Sequence, residues 1–369
     1  MSSRLSAMLF ASTDAVFATK LKSRCLVAQD ADSERHRFFV ASSCLRDENE
    51  IQLIEYNEEM MDSVTCVHVF QHPKEVFDIA PSPRDATLLI TCASDGEVVL
   101  WRAPLAGDAT DADDDRAAAA QPSALEAVAT VAPGREPCRV LWKPQENVPS
   151  EQVGTMGRGI SIWDVAGGSL QESCTLETAG AASSGAWDPH HGNIISATHD
   201  CSASGWDLRS GKRAFVIEEA HRYAARDIDY NPNKPQFVAT CGDDRLIKCW
   251  DLRSLAVPAM QLAGHSHWVW TCKYNRFHDQ LLLSGGTDSL VNLWRCSSVS
   301  SAPLLDLDGD SAKGSDTDDC KVRTFDVHEE SVYSVAWSAC DAWVFASLDY
   351  SGRVAINHVP STEKYKILL

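Results

Sequence analysis

Five tryptophans recur along the chain at nearly one spacing, each closing a short apolar run: VVLWR to Arg102, ISIWD to Asp164, SASGWD to Asp207, IKCWD to Asp251 and VNLWR to Arg295. Trp101, Trp163, Trp206, Trp250 and Trp294 stand 62, 43, 44 and 44 residues apart, and Asn357 in RVAIN follows 63 residues later. Other residue types keep the same step. Asp95, Asp200, Asp244 and Asp288 each precede their tryptophan by six residues, and a hydroxyl (Thr91, Ser196, Thr240, Ser284) precedes each Asp by four. His72, His221, His265 and His328 lie 29 residues before Trp101, Trp250, Trp294 and Asn357. A fixed period of this length means a fold built from repeated supersecondary units that bury their faces against each other.

The residue types suit a buried polar relay. An indole N–H is only a donor and needs an acceptor, which a hydroxyl supplies; the hydroxyl meets the imidazole, and an Asp in a tight turn fixes the ring. Such a relay is complete or costly, since each buried group left unpaired costs about 1–3 kcal/mol. This His–Ser/Thr–Asp–Trp register resembles the WD40 repeat, whose unit is a four-stranded antiparallel blade, and Gly264-His265 is a full GH pair. Expected tetrads are His72, Thr91, Asp95 and Trp101; His221, Thr240, Asp244 and Trp250; and His265, Ser284, Asp288 and Trp294. In the third unit Gly134 and Gly157 occupy the His and Asp positions, and in the last Ser351 and Asn357 occupy those of Asp and Trp, so both are expected to rely on packing.

Counting units gives the expected fold: one all-β, seven-bladed WD40 β-propeller over residues 1–369, closed so that no sheet edge is left open. The divergent first unit reads as AMLFA, RFFVASS, EIQLIEY and SVTCVHVF, and the last as VYSVAW, VFASL and RVAIN; its outer strand is either YKILL or one borrowed from the N-terminus, and the register does not decide between them.

Charge is uneven. The chain has 33 basic and 52 acidic residues, a net of −19, and much of the excess lies in three segments. Residues 47–62 hold seven acids and no base, 108–116 five acids and one base, and 306–319 six acids and one lysine. The last two lack apolar periodicity, so about 105–124 and 306–320 read as disordered acidic insertions. This acidity argues against binding nucleic acid or an anionic membrane surface. No apolar run reaches the ~20 residues a bilayer span needs, and the N-terminal apolar patch reads as a strand rather than a signal peptide. The 13 cysteines never form CxxC and read as free thiols of a reducing cytosol.

Chemistry finds little support. A Ser–His–Asp catalytic triad occurs once, whereas this set recurs with a tryptophan at one period. No P-loop, HExxH, GxSxG or dinucleotide fingerprint is present, and no catalytic, cofactor or metal residues are expected. His190-His191 reads as part of a solvated turn. Asp306, Asp308 and Asp310 have the opening spacing of a calcium loop, but Ser311 and Thr317 stand where Gly and Glu are required.

A contact surface is the alternative. Positions three and five after each tetrad His start the innermost strand on one side of it. They are Glu75 and Phe77, Ala224 and Arg226, Trp268 and Trp270, and Ser331 and Tyr333. Arg226, Trp268, Trp270, Tyr333 and Phe77 are therefore the candidate protein-binding residues, because Arg, Trp and Tyr dominate binding hot spots.

Longer segments point to a particular family. HSHWVW (265–270), the YN..HDQL.L.G..DS pattern (274–289), WDPHH (187–191), NPNKP (231–235) and the end piece from HEESVYSVAWS to KYKILL resemble the EARP- and GARP-complex interacting proteins. The resemblance is strongest over 180–369. It implies a cytosolic, non-enzymatic scaffold, monomeric on its own and without cofactor. Its expected partners are subunits of the EARP and GARP tethering complexes, with peripheral recruitment to endosomes and the trans-Golgi network. Roles in endosomal recycling, retrograde transport and dense-core vesicle cargo sorting would follow. A competing reading uses the two WDLR boxes, Trp206 to Arg209 and Trp250 to Arg253, which match the box of cullin-4 ubiquitin-ligase substrate receptors.

Overall fold

A computed structural model describes residues 15–45, 48–58, 63–105, 122–132, 136, 139–144, 151–178, 180–302 and 319–368. They form seven antiparallel sheets in a ring, the expected seven-bladed propeller. The innermost strands, in blade order, are Ser23–Ala28, Val76–Pro81, Arg139–Trp142, Ala182–Trp187, Ala225–Tyr230, Val269–Tyr274 and Val332–Trp337. Second strands such as Phe237–Gly242, Leu281–Gly286 and Val344–Asp349 are buried at every residue. A blade has a neighbour on each face, so these strands are continuously small or apolar instead of alternating. The apolar core follows suit: it divides into seven clusters, one at each junction between adjacent blades.

Ring closure, which the register leaves open, is made by an N-terminal strand. The outer strand of the last blade is Ala15–Ala18, which pairs antiparallel with Arg353–His358 from Ala15↔Ile356 to Ala18↔Arg353. Thr19 continues the contact by donating its N–H to the Gly352 carbonyl at 2.9 Å. Gly352 has φ +92°, and a Cβ there would meet the Thr19 hydroxyl at 2.0 Å, so the turn requires glycine. YKILL is not a strand. With the edge already paired, Ser361–Leu368 turns into a helix whose first bonds go to the Pro360 carbonyl. Glu363 fixes the helix by accepting from Arg295 Nη1 at 3.1 and 3.3 Å, both side chains being buried. The first blade also shifts: its inner strand is Ser23–Ala28, and AMLFA lies outside the described residues.

Polar relays form at the expected register, with exceptions. In blade 5 the Trp250 indole donates to Thr240 Oγ1 at 3.0 Å, the Thr240 hydroxyl donates to His221 Nε2 at 2.8 Å, and His221 Nδ1–H donates to Asp244 at 2.8 Å. Blade 6 repeats this through Trp294, Ser284, His265 and Asp288 at 2.8, 2.7 and 3.0 Å. Blade 2 keeps Trp101, Thr91 and His72 but not Asp95. His72 Nδ1 donates to the Lys74 carbonyl at 2.6 Å, while Asp95 and Glu97 turn outward to Lys74 Nζ at 2.6 and 2.7 Å. The last blade recovers its acid two residues early, where Asp349 accepts from His328 at 3.1 Å and Ser347 bonds the ring at 2.8 Å. Only its tryptophan is replaced, by a buried Asn357 whose amide finds no partner among the described residues. In blade 3 Trp163 bonds Thr155 at 3.0 Å, and Gly134 lies outside the described residues. In blade 4 the Ser196 hydroxyl goes instead to the Tyr230 hydroxyl of blade 5.

Both insertions fall between the third and fourth strands of a blade, of blades 2 and 6. Ser123–Ala124 pairs parallel to Phe70 and Gln71 of blade 1, and Cys320 begins the outer strand of blade 6, with Asp319 accepting from the Ser298 N–H. Residues 106–121 and 303–318, with the calcium-like spacing, lie outside the described residues.

Burial alone would raise the Asp244 carboxyl, but His221 and the N–H groups of Arg222 and Leu246 hold it at about 2. A depressed acid stabilises the fold above its unfolded value near ~4, and that contribution is lost as pH falls toward 2. Asp244→Ala and Asp288→Ala should each cost about 1–3 kcal/mol in thermal or urea melts, by leaving a buried imidazole N–H unpaired. Asp95→Ala should stay within roughly 0.5 kcal/mol; equal losses at all three sites would contradict these relays. Asp244→Asn should also flatten the loss of stability between pH 4 and 2. Glu363→Ala, which takes the carboxylate away from the buried Arg295 guanidinium and leaves its bond to Cys320, should cost about 1–3 kcal/mol by the same melts, and an unchanged midpoint would refute the latch.

Candidate functional site

One local irregularity recurs around the ring and builds the site. In each innermost strand but that of blade 3, the pairing slips by one residue near its start: between Ser23 and Cys25, Val76 and Asp78, Ala182 and Ser184, Ala225 and Asp227, Val269 and Thr271, and Val332 and Ser334. A β-bulge leaves its extra residue unpaired and re-aims its side chain. The bulged residues are Arg24, Phe77, Ser183, Arg226, Trp270 and Tyr333, all at one mouth of the ring.

Their side chains join into a belt. Trp268, 41% exposed, meets Trp270 edge-on at 6.2 Å; Trp270 packs on Tyr333 at 4.9 Å, and Tyr333 on Tyr350 at 5.7 Å. Cations lie against these rings. Arg226 is 4.6 Å from the Trp270 centroid and 5.6 Å from that of Trp268, Lys22 is 5.0 Å from Tyr350, and Arg24 is 5.2 Å from Tyr333 and 4.9 Å from Phe77. Arg139 continues the belt into blade 3, 5.8 Å from Phe77. The five residues expected from the sequence are thus brought together, and Lys22, Arg24, Arg139 and Tyr350 are added.

The belt is held from beneath and beside. Asp243 accepts from Arg226 Nε and Nη2 at 2.7 and 2.6 Å, and Thr287 accepts from the Trp270 indole at 2.7 Å. Asp243, Thr287 and Tyr350 each stand 17 residues after the bulged residue they meet, directly before the tetrad Asp position. That spacing is a sequence signal, legible only once the bulge is known. One layer deeper, buried Asp227 binds three blades: it accepts from Ser184 Oγ at 2.7 Å, Thr271 Oγ1 at 3.0 Å, the Cys272 N–H at 3.1 Å and Lys273 Nζ at 2.9 Å. Burial pushes the Asp229 carboxyl up to about 6 against the pull of Lys273 and the Tyr274 N–H.

Other candidates are placed elsewhere. His190 bonds the Asn231 carbonyl at 3.0 Å and His191 bonds Asp188 at 3.0 Å, so the two rings do not converge. Both WDLR boxes end third strands and lie at the opposite end of the ring from the bulges. Arg209 and Arg253 there are paired with Asp207 at 3.5 Å and Asp251 at 2.6 Å. Among the described residues one group has metal-ligand proximity: His36, Glu58 and Asp341, whose ligand atoms lie within 4.8 Å of one another between the first and last blades. Its histidine is already bonded through Nδ1 to Ser338 Oγ at 2.9 Å.

The belt offers aromatic faces and fixed cations, the equipment of a protein-contact surface. Trp268→Ala should change stability by less than roughly 0.5 kcal/mol, while Trp270→Ala, which loses Thr287 and the stacking on Tyr333, should cost about 1–2 kcal/mol in thermal melts. Global unfolding of Trp268→Ala would make that ring core rather than surface.

Comparison with known proteins agrees with this architecture. A family model described as EIPR1 beta-propeller matches residues 11–294, and one for the WD domain, G-beta repeat, matches 319–356. The human EARP and GARP complex-interacting protein 1 is 35% identical, with 96% of this chain and 98% of the relative covered. The Caenorhabditis elegans EARP-interacting protein 1 is 29% identical over the same shares. The WD repeat-containing protein DWA2 of Arabidopsis thaliana is 32% identical over 93% of this chain and 95% of its own length.

Proposed function

The chain belongs to the EIPR1 beta-propeller family, and we propose that it is a non-enzymatic adaptor that binds the EARP and GARP complexes through the aromatic and cationic belt at one mouth of its ring. The observation that carries this reading is full-length similarity to relatives named for interaction with those complexes. The belt supplies the physical means. Exposed Trp268 and half-buried Trp270 are large, rigid anchors already ordered by their neighbours, so little side-chain freedom is lost on binding. As such an adaptor the chain turns over no substrate and acts as a monomer. It is recruited peripherally to endosomes and the trans-Golgi network, where it supports endosomal recycling, retrograde transport and dense-core vesicle cargo sorting. Among the described residues no helix is long and apolar enough to cross a membrane, which suits recruitment through a partner.

The test is affinity purification of the tagged chain followed by mass spectrometry, with titration of the purified complexes. Wild type should recover EARP and GARP subunits. The Trp268→Ala/Trp270→Ala variant should remain folded and lose at least ~30-fold in affinity, the effect of removing an anchor worth ~2 kcal/mol or more. Undiminished binding by the folded double variant would move the contact off the mouth. Recovery of a cullin-4 adaptor in place of tethering subunits, abolished by Arg209→Ala/Arg253→Ala, would overturn the reading in favour of the WDLR boxes.

A further inference from the structure

The cations of the mouth are in two different states. Arg226 and Arg139 each carry their own counter-ion, Asp243 at 2.6 Å and Asp78 at 3.1 Å. Arg24 carries none. Its guanidinium lies between the rings of Phe77 and Tyr333, and among the described residues it makes no ion pair and no side-chain hydrogen bond. Lys22, two residues earlier and over Tyr350, is in the same state. This occurs in a chain of net charge −19, where acids to pair with them are abundant.

A ring engages the face of a guanidinium and leaves its N–H edge unused. Two rings therefore set the position of Arg24 without satisfying its five donors. A fixed, unpaired fork of this kind matches a carboxylate, which it can bind through two parallel hydrogen bonds. A polyphosphate backbone fits less well, because it needs several free cations. Of the four belt cations, only Arg24 and Lys22 lack a counter-ion among the described residues, and Asp95, Glu97 and Glu329 stand on the same face. The aromatic surface of Trp270 and Trp268, next along the belt beyond Tyr333, calls for apolar side chains near that acid. We propose that Arg24 is a carboxylate-recognition site, taking an Asp or Glu side chain from a segment of a partner protein in which acidic and apolar residues are interspersed. The proposal rests on the mouth being the partner-binding face, and names the chemistry that face selects.

The full-length chain is titrated onto immobilised, purified EARP and GARP complexes. Arg24→Gln should weaken binding at least tenfold with an unchanged melting temperature. Arg24→Lys should be intermediate, Arg24→Glu weaker still, and the salt dependence of affinity should be shallower in Arg24→Gln than in wild type. Wild-type affinity for Arg24→Gln, alongside lost binding by the Trp268→Ala/Trp270→Ala variant, overturns the carboxylate site and leaves the binding face in place. Loss of wild-type binding after phosphatase treatment of the complexes overturns it in favour of a phosphate ligand. A second probe does not depend on those complexes: a random peptide library selected on the wild-type chain and counter-selected on Arg24→Gln. Enrichment of Asp or Glu next to aromatic or aliphatic residues supports the site, and absence of that enrichment overturns it.

Discussion

A third strand left without an outer partner exposes a row of unpaired N–H and C=O groups, and the ring closes through the one strand that pairs them. Ala15–Ala18 comes from the far end of the chain to pair with Arg353–His358, completing the last blade. The same junction buries Ala15, Leu26, Phe38, Ile54, Val344 and Ile356 in one apolar cluster, so edge pairing and core formation occur together. Once this seam is shut every blade has two neighbours, and the second strands can be buried throughout. The C-terminal helix is a consequence: with the outer edge filled, its residues dock over the seam between blades 6 and 7 through Arg295, Glu363 and Ile367.

Within that ring, two devices cooperate. In blades 5 and 6 the Trp–hydroxyl–His–Asp relays hold the loop before the innermost strand to the turn between the second and third strands of the same blade. The bulge that follows then aims a side chain at the axis. In blade 6 both operate within a few residues: Asp288 holds His265 and the Ser266 N–H, Thr287 holds Trp270, and the Trp268 carbonyl accepts from the Thr287 N–H at 2.9 Å. A binding surface made this way is rigid because structural hydrogen bonds lie directly behind it. The relay histidines, which resemble parts of a hydrolase triad, spend their bonds on geometry.

Much of this was legible in the sequence, and the failures have physical causes. Blade number, relay register and the convergence of Arg226, Trp268, Trp270, Tyr333 and Phe77 followed from period alone. Asp95 stood in register but left the relay, because Lys74 offers two acids a cation and its own carbonyl satisfies His72. YKILL looks like a strand by composition, yet strand identity there was decided by which segment reached the edge. Lys22 and Arg24 were missed because the first blade lacks the relay residues that set the register, so its inner strand was placed too early. Arg139 was hidden by the irregular start of blade 3. Tyr350 required knowing that the residue before the turn acid faces the bulge.

The central claim is that the chain meets its partner at the mouth lined by the bulged residues. Hydrogen–deuterium exchange of the full-length chain, alone and saturated with purified EARP complex, tests this most directly. The account predicts new protection in peptides covering residues 22–24, 265–270 and 331–350, with Asp207–Arg209 and Asp251–Arg253 unchanged. Protection confined to the WDLR end of the ring, with the mouth exchanging as in the free protein, would contradict it.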